Sequence, residues 1–436
     1  MSAASQTMPD GSGSRVQQLT DHLFRHEAGK LVSILTGIFG IHRLQMAEDV
    51  VQEALMRALR TWPYYGTPDN PAAWLMQTAK HLALDLIRRE SSFQSKQTKI
   101  VEFVEQRLAE GGPEAEAMFE DEIKDDRLRL MFACCHPSLP QEAQTALALK
   151  VLCGFSPKEI SAAFLTTEAA VAKRLTRARQ RLQEKNVAFE IPAGVELPAR
   201  LEGVLQILYL LFNEGYKASS GDCLIREELC LEAVRLGTLL AGHSAGNQPR
   251  THALLALMLL NGARLPARLD DQGNIRRLEE QDRSLWNQAM IQRGIMHLGL
   301  SAQGDHACEY HLQAGISACH SLAPDAASTD WRQILRLYDH LVQMNDSPVI
   351  ALNRAVALSR VEGPSKALNA VESILDSQPL DSYHLFHAVL GELEAQRQQF
   401  QSAAAHLRTA LKLAEMASER TLLSRRLEEM ESLSSD

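Results

Sequence analysis

Apolar side chains recur every three or four residues through almost the whole chain, and the alternating pattern of a surface β-strand is nearly absent. Because this period places apolar residues on one face of an α-helix, we expect an all-α protein. The longest apolar runs, such as Val204–Phe212, are far shorter than the roughly 20 residues that a membrane span needs. The pattern therefore predicts a cytoplasmic protein without a membrane segment.

Two stretches interrupt the helical pattern of a chain that, at 436 residues, is too long for one ordinary core. The first, from about Ile100 to Asp126, holds ten acidic residues against two basic ones and is typical of a solvated linker. The second, Asn186–Arg200, has two prolines and a glycine, which favour an extended connector. We expect a disordered leader (1–15), a helical domain (16–95), an acidic linker (96–123), a second helical domain (124–186), a connector (187–199) and a larger helical domain (200–436).

Charge is distributed unevenly between these parts. The whole chain has a formal net charge of -9, but residues 200–436 carry 22 basic and 29 acidic side chains. Residues 1–199 carry 23 basic and 25 acidic side chains, and the linker 101–126 alone accounts for ten of those acids. The two small domains are therefore net basic, and the overall acidity does not exclude a nucleic acid as a partner.

A helix-turn-helix is predicted after Gly154. Ser156 stands before Pro157, and Glu159 follows three residues after the serine, which is the pattern of a capping box at a helix start. A tight turn at residues 165–167 separates this short helix from a second one, whose first turn a threonine of that turn can cap.

The second helix of the motif is amphipathic and basic. Its apolar face is predicted to consist of Val171, Leu175, Ala178 and Leu182. Such a helix can enter the major groove of DNA, with residues near its N-terminus on base edges and later arginines on phosphates. The expected DNA contacts are Thr167, Glu168, Ala170, Lys173, Arg174, Arg177, Arg179 and Arg181. A solvated basic face is the alternative interpretation.

An earlier amphipathic helix, from Ala47 to Trp62, carries a compact polar patch. Asp49, Gln52 and Glu53 share one side of it at three- and four-residue spacing. Taken alone, this patch is typical of a solvated helix face.

Aromatic residues and a basic helix follow this patch. The loop expected from Trp62 to Ala72 has two tyrosines, and the helix after it is rich in polar and basic side chains. Such a pair can stack an unpaired base and bind its phosphates. An equally open interpretation is that Tyr64, Tyr65 and Trp74 are core or capping residues.

The third part contains a weak repeat. Small and large apolar residues recur at a spacing of 36 residues in an arrangement typical of tetratricopeptide helix pairs. The first copy has Ala355, Leu358, Ala367 and Val371, and the second has Leu390, Gly391, Ala403, Leu407 and Ala410. An unrelated helical bundle rich in alanine and leucine remains the alternative.

The seven cysteines show no pair with the spacing of a zinc or redox site. Cys134, Cys135 and His136 are consecutive and would rarely converge on one metal ion. We therefore expect buried or partly buried thiols, and neither a metal nor a cofactor.

Four segments in this order and spacing resemble the two-domain core of bacterial RNA polymerase sigma factors of the extracytoplasmic-function type. They read AEDVVQEAL, NPAAWLMQTAKHLALDLIRR, SPKEISAAF and AVAKRLTRARQRL. The third part resembles the C-terminal tetratricopeptide-like (DUF6596-type) extension of one subgroup, through segments such as DDRLRLMFACCHP, LYLLFNEGY and SPVIALNRAVAL.

The resemblance implies a sigma factor that is not an enzyme. Its partners would be core RNA polymerase, through the clamp of the largest subunit and the flap, and promoter DNA. The clamp would bind Asp49, Gln52 and Glu53. The minus-ten element would bind Tyr64, Tyr65, Asn70, Trp74, Lys80, His81, Asp85, Arg88 and Arg89, and the minus-thirty-five element would bind the basic helix of the helix-turn-helix. His81 stands where the family usually has asparagine, which affects base choice at the minus-ten element.

Two other classes of protein compete with this interpretation. A helix-turn-helix activator with a helical-repeat sensor would touch duplex DNA only, and would have no use for a separate N-terminal domain. An enzyme would need acids or bases, for which Glu214, Glu280 and Asp282 are the best candidates. Helix caps and interdomain hydrogen bonds are the more ordinary roles for these carboxylates, and the nearby DQGN segment predicts a hairpin turn. A regulatory protein or ligand on the C-terminal domain is left open.

Overall fold

The computed structural model describes residues 28–91, 125–164, 166–185, 197–218, 224–375, 380 and 383–435. Within these ranges the regular secondary structure is helical, and the only β-type pairing is an isolated bridge between Leu269 and Ile275. The predicted all-α class is confirmed. The predicted leader, the acidic linker and residues 187–196 of the connector lie outside the described ranges.

The chain divides into two compact units. The first runs up to Leu211 and includes His243–Ala245, and the second comprises Phe212–Gly242 and the residues from Gly246 onward. The division therefore falls inside a helix that the sequence assigned to the larger C-terminal domain.

Within the described residues, the first unit is built from eight α-helical segments and one short 3-10 helix, Ile41–Arg43. The α-helical segments are α1 (28–39), α2 (Leu44–Tyr65), α3 (Pro71–Ser91), α4 (Asp126–Cys134), α5 (Gln141–Cys153), α6 (Pro157–Ala163), α7 (Glu168–Glu184) and the start of α8 (Leu197–Tyr216). Two glycines end helices here because each adopts a left-handed backbone conformation. Gly66 follows α2 with φ 84°, and Gly154 follows α5 with φ 67°.

The helices of the first unit share one core. In α2, Val50, Val51, Ala54 and Leu55 are almost fully buried. Helix α1 approaches α5 so closely that a Cβ atom at Gly29 would lie 2.0 Å from the carbonyl oxygen of Leu152. The N-terminal helices and the helix-turn-helix segment thus pack together.

The second unit contains the rest of α8 and ten further helices among the described residues. They are α9 (Glu227–Gly242), α10 (Pro249–Gly262), α11 (Gln288–Ser301), α12 (Glu309–Leu322), α13 (Trp331–Met344), α14 (Pro348–Glu362), α15 (Pro364–Leu375), α16 (His384–Gln396), α17 (Phe400–Leu413) and α18 (Ala417–Ser435).

Helix pairs form where the sequence repeat predicts them. Gly391 in α16 faces α17 so closely that an added Cβ would lie 3.0 Å from Leu407 Cγ and 3.2 Å from the Ala403 carbonyl oxygen. In the pair α14–α15, the small residues Ala355 and Ala367 are fully buried. Small residues therefore permit the close approach of helices, as the repeat predicts.

The hairpin predicted at DQGN is also confirmed. The Asp270 carboxylate accepts hydrogen bonds from the backbone amides of Gln272 and Asn274, and Gly273 has φ 81°. This turn joins the two sides of the Leu269–Ile275 bridge.

No helix in the described part of the chain is both long enough and apolar enough to cross a membrane.

Candidate partner- and nucleic-acid-binding surfaces

The polar patch of α2 lies on the surface. Asp49, Gln52 and Glu53 are all exposed. Asp49 accepts a 2.8 Å hydrogen bond from Gln45, and Glu53 forms a 3.1 Å ion pair with Arg57. Because both pairs lie on the surface within one helix turn, they contribute little to folding stability, and contacts with a binding partner can replace them.

An exposed methionine extends this patch. Met56 follows Gln52 by four residues and Glu53 by three, so it lies on the same face, and 42% of its surface is exposed. An unbranched thioether adapts to irregular apolar surfaces. Sequence reasoning missed this residue, although its position in the polar stripe is a signal that could have identified it.

The two tyrosines end α2 and do not lie in a loop. The helix continues through Pro63 to Tyr65, and the loop begins only at Gly66. The expectation of a loop from Trp62 to Ala72 was wrong in this respect, because the left-handed glycine sets the end of the helix. Tyr64 and Tyr65 are 77% and 88% exposed, so neither belongs to the core.

The start of α3 uses two of the predicted residues for its own structure. The side-chain oxygen of Asn70 accepts a 3.0 Å hydrogen bond from the Ala73 amide and caps the helix. Trp74 packs edge-on against the buried Trp62, with ring centroids 5.5 Å apart. The packing role left open for Trp74 is thus present, and Asn70 has a capping role that was not predicted.

The outer face of α3 carries the remaining predicted residues. His81 and Asp85 are exposed and Lys80 is half-buried. Arg88 and Arg89 lie in the last turns of the helix, and their side chains are outside the described part of the structure.

The helix-turn-helix has the predicted caps. Ser156 and Glu159 form the reciprocal capping box, with the serine amide donating to the glutamate at 2.6 Å and the glutamate amide donating to the serine hydroxyl at 3.2 Å. Thr167 caps α7 by accepting from the Ala170 amide at 3.3 Å. The geometry therefore confirms both cap predictions.

Helix α7 buries the four residues predicted for its apolar face, namely Val171, Leu175, Ala178 and Leu182. The residues on its other faces are mostly exposed. The exposed predicted contacts are Thr167, Glu168, Ala170, Lys173, Arg177 and Arg181. Two arginines depart from this pattern and are only partly exposed.

Arg174 is held on one flank of the buried stripe. It forms a 2.5 Å ion pair with Glu142 of α5, and its guanidinium lies 5.8 Å from the centre of the Phe164 ring. Its side chain is 26% exposed. Its role as a base-reading residue stays a prediction, and that role would require the exchange of Glu142 for a base.

Arg179 is held on the other flank by Glu48 of α2. The pair is bidentate, with Nε to Oε2 at 3.0 Å and Nη2 to Oε1 at 2.9 Å. The Glu48 side chain is only 8% exposed and that of Arg179 is 21% exposed. Burial raises the pKa of Glu48, and Arg179 opposes this rise only in part. Planar two-bond pairing of this kind is the strongest form of an arginine–carboxylate contact.

The start of α8 packs on the helix-turn-helix segment within the first unit. Gln206 accepts a 3.2 Å hydrogen bond from Thr145 of α5, and the buried Arg200 donates to the Phe132 carbonyl of α4 at 3.4 Å. A Cβ at Gly203 would lie 2.7 Å from Cys135 Sγ. Residues 200–208 therefore complete this core.

The thiols of α4 and α5 are buried, as predicted. Burial raises the pKa of Cys135 to about 12 and that of Cys134 well above its ordinary value. The adjacent His136 bonds Ser138 at 2.7 Å through Nδ1. Thiols in this protonated form are poor metal ligands and poor nucleophiles.

The three carboxylates considered for catalysis have structural roles. Glu214 forms a buried 2.9 Å ion pair with Arg226. Glu280 pairs with Arg277 at 2.8 Å, and Asp282 caps a short helical turn through the Ser284 amide at 2.9 Å. The predicted capping role is confirmed at Asp282, whereas the ion pairs of Glu214 and Glu280 lie within the second unit and not between domains.

Comparison with known families matches three parts of the chain. Residues 23–93 match the family described as Sigma-70 region 2, and residues 129–182 match Sigma-70, region 4. Residues 200–302 match a family of unknown function, DUF6596.

Two relatives extend these matches. A protein of Rhizobium meliloti (strain 1021), described as uncharacterized, is 37% identical over 392 residues, which is 89% of this chain and 90% of the relative. The ECF RNA polymerase sigma factor SigE of Mycolicibacterium smegmatis is 28% identical over 164 residues, which is 38% of this chain and 60% of the relative. No solved structure matches the chain significantly.

Proposed function

Because the chain belongs to the extracytoplasmic-function sigma factors that carry a DUF6596 extension, we propose which of its surfaces bind core RNA polymerase and promoter DNA, and that its extension modulates them in cis. Sigma factors bind both partners and have no catalytic role of their own. The observation that carries the proposal is the outer surface of α7, where predicted DNA contacts are exposed above a fully buried apolar stripe.

The outer surface of α7 would bind the minus-thirty-five element. Thr167, Glu168 and Lys173 lie in the first two turns and would face base edges, because the N-terminal part of a recognition helix enters the major groove. Arg177 and Arg181 lie further along and would meet phosphates.

The end of α2 would bind a base of the minus-ten element. Tyr64 and Tyr65 are exposed aromatic surfaces, and an unpaired base gains roughly 1 to 3 kcal/mol from stacking on such a ring. Lys80 and His81 of α3 would bind the adjoining strand. This stacking would offset the cost of unstacking the duplex, which is on the order of a few kcal/mol per base.

The patch of Asp49, Gln52, Glu53 and Met56 would bind the clamp of the polymerase largest subunit, and the helix-turn-helix segment would lie near the flap. A methionine surrounded by carboxylates fits a partner with a basic rim and an apolar centre.

Transcription in vitro tests the function as a whole. The full chain with core polymerase and a promoter library is expected to give promoter-specific transcripts without another sigma factor. Transcripts that appear only when a second sigma factor is present would instead identify a helix-turn-helix activator.

Charge reversal tests the polymerase-binding patch. Asp49→Lys with Glu53→Lys is expected to weaken core binding at least tenfold while the fold is retained. The matched control is Glu372→Lys with Glu415→Lys, two exposed acids of the second unit, which should leave the affinity unchanged. Equal affinities for both double variants would remove this assignment.

The extension would act positively, because its first residues already complete the core of the first unit. Gln206 and Arg200 contact α5 and α4, and Leu201 and Val204 are buried. Truncation after Leu197 would remove these contacts, whereas truncation after Leu211 would keep them.

The two truncations separate a structural role from a regulatory one. We expect the chain ending at Leu211 to fold, by circular dichroism, and to transcribe less than the full chain. The chain ending at Leu197 should also lose stability. Unchanged amount and regulation of transcription in the longer truncation would exclude control in cis and leave the extension as a docking site for another protein.

A further inference from the structure

A cavity of about 400 Å³ lies among helices α13, α14, α16 and α18 of the second unit. This volume is within the range of small-molecule sites, roughly 300 to 1,000 Å³. Most of its lining residues lie beyond residue 302, where the match to the DUF6596 family ends, whereas Arg277, Leu278 and Glu279 lie within that match.

The walls of the cavity are apolar and incompletely covered. Val356 of α14, Leu385 and Val389 of α16 and Leu422 of α18 line it, and each is only half-buried. An apolar ligand would remove this surface from water, which is favourable by about 25 cal/mol per Å².

The cavity lining includes polar groups without a hydrogen-bond partner in the described part of the chain, among them Nδ1 of His320. The Tyr338 hydroxyl of α13 has no hydrogen bond to any residue in the described part of the chain, and its ring lines the cavity. Burial raises the pKa of Tyr338 to about 12, so this hydroxyl is a neutral donor at physiological pH. An acceptor on a ligand would satisfy it.

The charged groups that line the cavity neutralise one another. Arg426 pairs with Glu392 at 2.6 Å, Arg277 approaches the same carboxylate at 4.0 Å, and Arg360 pairs with Glu279. Arg277 also pairs with Glu280 outside the cavity, and Arg426 with Glu429. Among the described residues that line the cavity, no unpaired charge is therefore left to bind a phosphate, a carboxylate or an ammonium group.

His320 contributes an uncharged aromatic ring to the cavity lining. Its ring meets that of Trp331 at 5.3 Å in an edge-on arrangement. Burial, together with Arg264 and Arg283, lowers the pKa of His320 to about 4, so the imidazole is neutral at physiological pH.

We propose that this cavity binds an uncharged, largely apolar small molecule with one hydrogen-bond acceptor, which accepts from the Tyr338 hydroxyl. The inference goes beyond the proposed function and does not depend on it, because binding can be measured without polymerase or DNA.

The test uses the full chain and prodan, an uncharged naphthalene ketone whose emission shifts to the blue in an apolar site. One prodan per chain is expected to bind saturably. A carboxylate-bearing analogue of the same fluorophore is expected to bind at least tenfold more weakly, because the guanidinium groups are already paired. Absence of saturable prodan binding, or equal affinity for the charged analogue, would overturn the proposal.

Three variants locate the site. Val356→Trp fills the cavity and is expected to weaken prodan binding more than tenfold, whereas Val349→Trp, on the exposed first turn of the same helix, should leave it unchanged. Tyr338→Phe keeps the ring volume and is expected to weaken binding about threefold to tenfold through the lost hydrogen bond. If Val356→Trp does not fold, Tyr338→Phe decides the matter, and unchanged affinity in that variant would refute the assignment of the hydroxyl.

Discussion

The α2–α7 interface and the outer surface of α7 use the same residue type in opposite ways. Arg179 is two residues from Arg181 in one helix, yet Arg179 binds the buried Glu48 whereas Arg181 is exposed. Arg179 directly follows Ala178 of the buried stripe, and Arg181 directly precedes Leu182 of the same stripe. Residues two positions apart in a helix lie about 200° apart around its axis, so the two arginines face different sides and Arg179 is the one that meets the carboxylate of α2. The difference teaches that the neighbouring helix, and not the residue type, decides which arginine of α7 is exposed.

The largest expected effect comes from breaking the interface. Arg179→Ala leaves Glu48 buried without its partner, which costs about 3 to 5 kcal/mol of folding stability. Arg181→Ala should change stability by less than about 0.5 kcal/mol. Hydrogen exchange of α2 and α7 peptides in the full chain measures both. If the α2 and α7 amides were equally protected from exchange in the two variants, the Glu48–Arg179 pair would contribute no more to folding stability than the exposed Arg181 does.

The outer surface is tested by promoter choice. Lys173→Ala is expected to cost about 1 to 3 kcal/mol on the preferred minus-thirty-five sequence and little on others. Arg181→Ala should weaken all sequences alike and lower the salt slope by about one. Binding isotherms at several salt concentrations distinguish the two patterns. A uniform loss in Lys173→Ala would remove its base-reading role.

The aromatic residues give a parallel test at the other end of α2. Tyr65→Ala is expected to weaken open-complex formation by about 1 to 3 kcal/mol without loss of folding stability, because the ring is 88% exposed. Trp74→Ala should instead lower stability by roughly 1 to 3 kcal/mol, since it packs on Trp62. Permanganate footprinting of the promoter and thermal unfolding of the protein report the two effects. A loss of stability in Tyr65→Ala would place this ring with the interface residues.

The smallest effect is a dependence on pH. The pKa of Glu48 is raised above its ordinary value of 4.5 by burial. A carboxyl group with a raised pKa stabilises the fold fully below its unfolded value and loses that contribution as pH rises through the folded value. Wild-type stability should therefore fall more than that of Glu48→Gln as pH increases above about 4.5. The free energy of unfolding is measured in urea at several pH values. If it changed with pH in parallel in the wild type and in Glu48→Gln, Glu48 would not be the group responsible for the pH dependence.

Local patterns predicted much of this architecture. The capping box of Ser156 and Glu159, the cap at Thr167 and the buried face of α7 depend on residues within four positions of one another, so the sequence contains all the information needed. The Asp270 turn is a similar case. The proposed binding roles of the exposed residues stay predictions.

Contacts between distant segments could not be predicted in the same way. Glu48 and Arg179 are 131 positions apart, and no local pattern joins them. One signal was present, because Glu48 occupies an apolar position of α2, four residues after Leu44 and three before Val51. A carboxylate in such a stripe requires a partner, but the sequence does not say which of the many arginines supplies it.

The Glu48–Arg179 ion pair also sets a limit on distance along the promoter. The minus-ten and minus-thirty-five elements are about 25 base pairs apart, which at 3.4 Å per base pair is about 85 Å of duplex. An ion pair of 2.9 Å holds α2 and α7 side by side. Under the proposed binding roles, one molecule would contact both elements of straight duplex at once only after this pair had separated, and association with polymerase would have to supply the free energy for that separation.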